Sequence, residues 1–238
     1  MAKRRSLLSR ILRGVLWLVG GWLVVTVGAV LLLRWVDPPT SAFMLRDRSL
    51  AWWQGDKAYQ FRHAWVDWQD ISPQAKLAVI ASEDQKFAEH FGFDLESINA
   101  ALEDRRKGGR TRGASTLSQQ VAKNLFLWPG QSWVRKGLEA WFTLLIESCW
   151  TKQRILEVYL NVAEFGKGVF GVGAASDSFF RKPAARLSAP DAALLAAVLP
   201  SPKRFRVTAA SAYVRKRQQW ILGQMRALTK DPAIDALI

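Results

Sequence analysis

The 238 residues are enough for one compact domain and an anchor, and hydrophobic residues, with 12 Trp and 12 Phe among them, make up 50% of the chain. The formal charge of +14 favours polyanionic partners, whether nucleic acid, anionic lipid or a phosphorylated substrate. Cys149 is the only cysteine, which excludes an internal disulfide; it reads as a small buried apolar residue.

Lys3, Arg4, Arg5, Arg10 and Arg13 precede an uncharged stretch over residues 14–33. At about 1.5 Å per residue, such a helix matches the roughly 30 Å hydrocarbon core of a bilayer. Unbalanced basic residues before it place segment 1–13 in the cytoplasm and the rest of the chain across the membrane. The expectation is a single-pass protein of the cell inner membrane with a periplasmic body. A cleavable signal peptide fits less well, because the apolar run is long and Leu31-Leu32-Leu33-Arg34 does not resemble a small-residue cleavage site. The anchor also points away from nucleic acid and toward the membrane surface.

Asp37-Pro38-Pro39 ends the helix, and residues 34–64 read as a linker and membrane-proximal region of turns and short helices. The main domain is expected over 65–238. Ser72-Pro73 supplies an N-cap and a first-turn proline, and Leu77, Ile80 and Ala81 then follow core-facing helical spacing. Glu83 falls near the end of that helix, where it can project into a cleft. Further helices are predicted over 95–105, 117–125, 134–150, 152–162, 187–199 and 210–228, with Pro200 stopping the one over 187–199. Strand patterns are almost absent, so the fold is mainly α. The basic, glycine-rich run 105–113 reads as a solvated loop or a flap over a phosphorylated substrate; it lacks the Lys-Ser/Thr of a phosphate-binding P-loop.

Glycosyl transfer from a pyrophosphate needs a base for the attacking hydroxyl and cations for the departing charge. Glu83 beside Asp84 offers paired carboxylates that raise one another's proton affinity, and His90 and Asp94 can fix the following turn. Gln119, Gln120, Lys123 and Asn124 lie one helical turn apart on a shared polar face. Arg135 and Lys136 follow, with Glu139 placed as an i, i+4 partner of Arg135.

Three runs carry the strongest pattern: E-D-x-x-F-x-x-H-x-G-x-D at 83–94, G-x-S-T-L-x-Q-Q-x-x-K-N at 113–124 and R-K-x-x-E at 135–139. K-x-x-I-L-E-x-Y-L-N at 152–161 and A-L-L-A-A-V-L-P-S-P at 193–202 complete the order. The set resembles the glycosyltransferase domain shared by monofunctional biosynthetic peptidoglycan transglycosylases and class A penicillin-binding proteins, the family 51 glycosyltransferases. No S-x-x-K, S-x-N or K-T-G transpeptidase set is present, which matches the monofunctional kind.

The resemblance implies a lysozyme-like, mainly helical glycosyltransferase domain that polymerises lipid II into β-1,4 glycan, inverting the anomeric centre and releasing undecaprenyl pyrophosphate. It implies Glu83 as general base, with Glu139 assisting, either through a divalent cation (Mg or Mn) or by orienting the basic groups. Lys123 and Arg135, with Lys136, would hold the pyrophosphate, while Asp84, Phe87, His90, Ser115, Thr116, Gln120 and Asn124 would shape the substrate cleft. No tightly bound cofactor is implied. Partners are lipid II, the nascent glycan, the membrane and proteins of cell division or cell-wall synthesis. Glu157, Tyr159, Asn161, Gly166 and Gly168 carry over as structural. Gln131-Ser132-Trp133 stands where some members of the family have another arginine, which shifts phosphate holding toward Arg135 and the 105–112 loop. The 125–129 run and Trp133 read either as core or as an apolar lip entering the bilayer. A lysozyme-like hydrolase is the alternative, but it has no use for the phosphate-binding cations or the anchor.

Overall fold

In the computed structural model, which describes residues 7–106 and 115–238, the apolar N-terminal stretch is one helix, α1 (Leu7–Leu32). From Ser9 to Leu32 it is long and apolar enough to cross a membrane. Residues 34–64, expected as a linker of turns and short helices, contain a full helix and a strand packed onto the domain. The helix is α2 (Ala42–Trp53), capped by Ser41, whose hydroxyl accepts from the Met44 N–H at 3.2 Å. Asp47 on α2 pairs with Lys203 and accepts a hydrogen bond from the Tyr59 hydroxyl at 2.8 Å. Strand β1 (Arg62–His63) follows.

The centre of the domain is α3 (Pro73–Glu83), capped by Ser72 with Pro73 in its first turn, as the sequence predicts. Leu77, Ile80 and Ala81 are buried, but so are Ala75, Lys76, Ala78 and Val79. A one-faced stripe is therefore too narrow a description. The helix is enclosed because α7 (Lys152–Val162), α9 (Ala189–Val198) and α10 (Ala212–Leu228) all pack against it. Alanine-rich α9 lets the backbones approach closely, and Asp191 caps it by bonding back to Ser188.

Between them lie α4 (Leu95–Arg106), α5 (Leu117–Phe126) and α6 (Trp133–Cys149). Asp94 caps α4 by accepting from the Ser97 N–H at 2.9 Å. Residues 107–113, most of the expected basic flap, lie outside the described residues. The anchor helix docks on α6: the Trp22 and Trp141 rings are 5.4 Å apart, and Trp141 Nε1–H donates to Thr26 Oγ1 at 3.3 Å. Trp150 Nε1–H donates to the Val30 carbonyl at 2.8 Å, so each indole polar group is satisfied across the junction. Cys149 is half-buried against the core rather than fully enclosed.

Beyond α7, β2 (Glu164–Gly166) and β3 (Val169–Phe170) join β1 in a sheet of order β1-β3-β2, with β1 parallel and β2 antiparallel to β3. At two or three residues each, these strands are too short to show a period-2 pattern in sequence. Gly168 turns the hairpin at φ +73°, where a Cβ would lie 2.3 Å from the Gln60 carbonyl oxygen. Helices α8 (Val172–Phe180) and α11 (Pro232–Asp235) complete the order.

One glycine bears directly on the loop after α3. Gly92 has φ +77°, and its carbonyl accepts the Thr116 hydroxyl at 2.7 Å. A Cβ there would sit 2.7 Å from Thr143 Cγ2 and 2.9 Å from Glu147 Cγ. Gly92→Ala is expected to destabilise the domain by about 1–3 kcal/mol, seen as a lower Tm in detergent. An unchanged Tm would show that the loop relaxes without cost.

Candidate active site

Glu83 closes α3 at the point where the chain leaves the helix: Asp84 has φ −161°, and its N–H makes the last helical bond, to the Ile80 carbonyl. The Glu83 side chain is nearly enclosed. Its Oε2 accepts from Gln120 Nε2 at 3.0 Å, and Gln120 Oε1 in turn accepts from the Tyr159 hydroxyl at 3.3 Å. Oε1 is buried with no hydrogen-bond partner, and the nearest cation to it is Arg217 Nη2 at 3.6 Å. Burial raises the proton affinity of this carboxyl; the Gln120 bond, Arg217 and Lys123 oppose the rise, and Asp84 adds a little to it. Desolvation outweighs the carboxylate pairing read from the Glu83-Asp84 sequence.

Asp84 is turned to other work. Its carboxylate accepts from His90 Nε2 at 2.9 Å and from the Leu117 N–H at 2.9 Å, tying the loop after α3 to the first turn of α5. An anion at a helix N-terminus is favourably placed there. Thr116 caps α5 in a reciprocal box with Gln119, so Gln119 faces its own helix start and is buried, not part of an exposed polar face. Phe87 is fully buried, with Lys152 Nζ 4.7 Å from its ring centre. His90, Phe87 and Asn124 thus act as supports behind the cleft wall, and Asn124 is itself buried.

Two cavities meet at Glu83. One, of about 300 Å³, is bordered by Glu83, Asp84, Lys86, Asp94, Ser115 and Thr116. The other, of about 660 Å³, is bordered by Glu83, Gln120 and Ser115 and, from α10, by Lys216, Arg217 and Trp220. Residues of α10 were not singled out from sequence. Their spacing in Arg215-Lys216-Arg217 reads as an ordinary solvated basic run, and only the packing of α10 against α3 gives Arg217 its place.

The cations expected at the pyrophosphate form a neighbouring cluster. Arg135 Nη1 donates to Glu139 Oε2 at 2.6 Å, and Lys136 Nζ bonds Glu139 Oε1. Arg135 and Glu139 are buried, Lys136 is half-exposed, and Arg135 Nε has no partner. Both follow Ser132, whose hydroxyl caps α6 by accepting from the Arg135 N–H at 3.1 Å. Lys123 stands between the two groups electrostatically: burial lowers its proton affinity, Glu139 and Glu83 raise it, and Arg135 and Lys136 lower it. Among the described residues, the linings of the two cavities at Glu83 do not include Lys123, Arg135 or Glu139. Lys123, Arg135 and Glu139 thus form a cluster beside those cavities rather than the facing wall of one chamber.

Of the two roles the sequence leaves open for Glu139, its contacts fit the orientation of Arg135 and Lys136. Each oxygen already meets a cation of its own helix. The 125–129 run divides: Leu125 and Leu127 enter the core and Phe126 stacks on Phe142 at 4.4 Å, while Trp128, Trp133 and Val134 are exposed.

Comparison with known proteins identifies the family of the chain. The family model described as transglycosylase matches residues 50–226. The chain is 54% identical over 223 residues to a biosynthetic peptidoglycan transglycosylase of Pseudomonas entomophila, covering 94% of this chain and 92% of that one. It is 56% identical over 217 residues to one from Cronobacter sakazakii (91% and 88% covered). A third, from Salmonella paratyphi B, is 54% identical over 230 residues (96% and 95% covered).

The buried carboxyl sets a stability test. Because its folded pKa lies above the unfolded value of about 4.3, ionising Glu83 costs stability. That cost is absent below the unfolded pKa and complete once pH exceeds the folded one. Glu83→Gln is therefore expected to melt higher than wild type at pH 8, with the gap closing toward pH 4. A variant that melts lower at pH 8 would contradict the direction.

Proposed function

The chain belongs to the transglycosylase family and acts as a peptidoglycan transglycosylase in cell-wall synthesis, and on that premise we propose that it polymerises lipid II. In this reading the 4-hydroxyl of lipid II attacks the anomeric carbon of the growing chain. Its proton passes to Glu83 Oε1 as the new C–O bond forms. The bond to the α-linked pyrophosphate breaks, its electron pair leaves with undecaprenyl pyrophosphate, and the product is β-1,4 linked.

One observation carries the proposal: the Glu83 carboxylate, in a residue that borders a cavity, has one oxygen held by Gln120 and the other buried with no hydrogen-bond partner. A base so placed meets a hydroxyl without first surrendering a hydrogen bond. Lys123, Arg135 and Lys136 then receive the departing diphosphate, with Glu139 holding the latter two in position. Burial raises the proton affinity of Glu83, and Gln120, Arg217 and Lys123 restrain that rise, which suits a carboxylate that takes up the proton of an attacking hydroxyl.

The membrane delivers the substrate. With the N-terminus cytoplasmic, the domain sits at the outer face of the inner membrane, where Trp128, Trp133 and Val134 suit the headgroup region. The docking of α1 on α6 sets the height of the cradle relative to that surface.

Purified protein with labelled lipid II in detergent is expected to give lysozyme-sensitive polymer, with Glu83→Gln slower by about 10²–10⁴-fold. The wild-type rate should also fall on the acid side at a pH above the ordinary carboxylate range. Undiminished polymer from Glu83→Gln would remove Glu83 from the chemistry.

A further inference from the structure

Arg217 is an oddity by ordinary structural accounting. It lies on α10, its side chain is mostly buried, and its Nε–H has no acceptor. Among the described residues its one ion pair is with Glu83, at a distance too long for a hydrogen bond. A guanidinium that serves packing alone would be expected to satisfy its donors at a carbonyl or a carboxylate. Here two unsatisfied atoms, Arg217 Nε and Glu83 Oε1, belong to neighbouring side chains on the wall of one cavity.

We propose that Arg217 is a positioning residue for Glu83, holding Oε1 ionised by charge while leaving its lone pairs free for the attacking hydroxyl. The inference rests on Glu83 being the base. A lysine or arginine in full hydrogen bond with Oε1 would block the atom; an arginine removed altogether would leave a desolvated carboxylate that takes up a proton. At 3.6 Å the guanidinium avoids both outcomes.

The other groups around Glu83 cannot supply this. On α3, Asp84 is an anion and disfavours ionisation. From α5, Gln120 occupies Oε2 and Lys123 is shared with Glu139. From α7, Tyr159 bonds Gln120 and is neutral, its hydroxyl held well above its usual range by burial. On α9 the sole charged side chain, Asp191, is engaged with Lys182 and Ser188. On α10, Lys216 borders the cavity but forms no ion pair with Glu83 among the described residues.

The test measures kcat and KM for lipid II polymerisation by the full-length protein across pH 5–9, for wild type, Arg217→Gln, Arg217→Lys and Glu83→Gln. Arg217→Gln should move the acid limb of the kcat profile upward by about one pH unit or more, so that its deficit narrows as pH rises. Arg217→Lys keeps the charge and should restore the limb toward wild type. An acid limb that stays in place in Arg217→Gln, with Glu83→Gln inactive, would overturn the role of Arg217 alone. An active Glu83→Gln would instead overturn the assignment of the base. If Arg217→Gln is too unstable to assay, the lysine variant decides: kcat and KM near wild type support the positioning role, and a uniform loss of rate at all pH values with KM raised would place Arg217 in substrate binding instead.

Discussion

The proposed reaction depends on one carboxylate that is held out of water and still takes up the proton of the attacking hydroxyl. Glu83 is placed at the end of an enclosed helix of the domain, where desolvation works against its charge. One amide and two cations work in the other direction, and none of them covers Oε1. Full solvation would leave a weak, distracted base; full pairing would leave an inert one. The fold holds an intermediate condition.

The surrounding polar residues make sense as the frame for that condition. Asp84 and His90 lock the loop after α3 onto α5, and Thr116 anchors the same loop through the Gly92 carbonyl. Glu147 gathers Ser118 and Lys152, and Lys152 reaches on to the His90 carbonyl at 2.6 Å. With α5 fixed, Gln120 and Lys123, one turn apart in opposite senses of the site, bring the base and the cationic cluster into one electrostatic unit. Glu139 holds Arg135 and Lys136 together on α6, and Arg135 Nε stays without a partner.

Much of this was readable from the chain because it is local. Ser72-Pro73 announces α3, the spacing of Ile155, Val158 and Tyr159 announces α7, and Arg135 to Glu139 is a one-turn ion pair on α6. What escaped is non-local or very short. Helix α2 has no apolar period, since its buried residues are Met44, Asp47 and Ala51. Strand β1 pairs with β3 across about a hundred positions, and β2 and β3 are only two or three residues long. Asp84 looked like a charge partner of Glu83 because sequence adjacency says nothing of direction; the helix ends between the two residues, and the Asp84 carboxylate turns to His90 and the start of α5. Arg217 was hidden in a basic run and becomes distinctive only when α10 lies along α3.

The central claim is that a free base oxygen and a diphosphate cradle serve one bound substrate. It is tested most directly by a structure of this protein with a phosphoglycolipid analogue of the growing chain bound. The account predicts phosphate oxygens within hydrogen-bond reach of Lys123 Nζ and the Arg135 guanidinium, and the reacting sugar carbon next to the space in front of Glu83 Oε1. Phosphates bound elsewhere, with Lys123 and Arg135 still committed to protein partners and the sugar remote from Glu83, would contradict it.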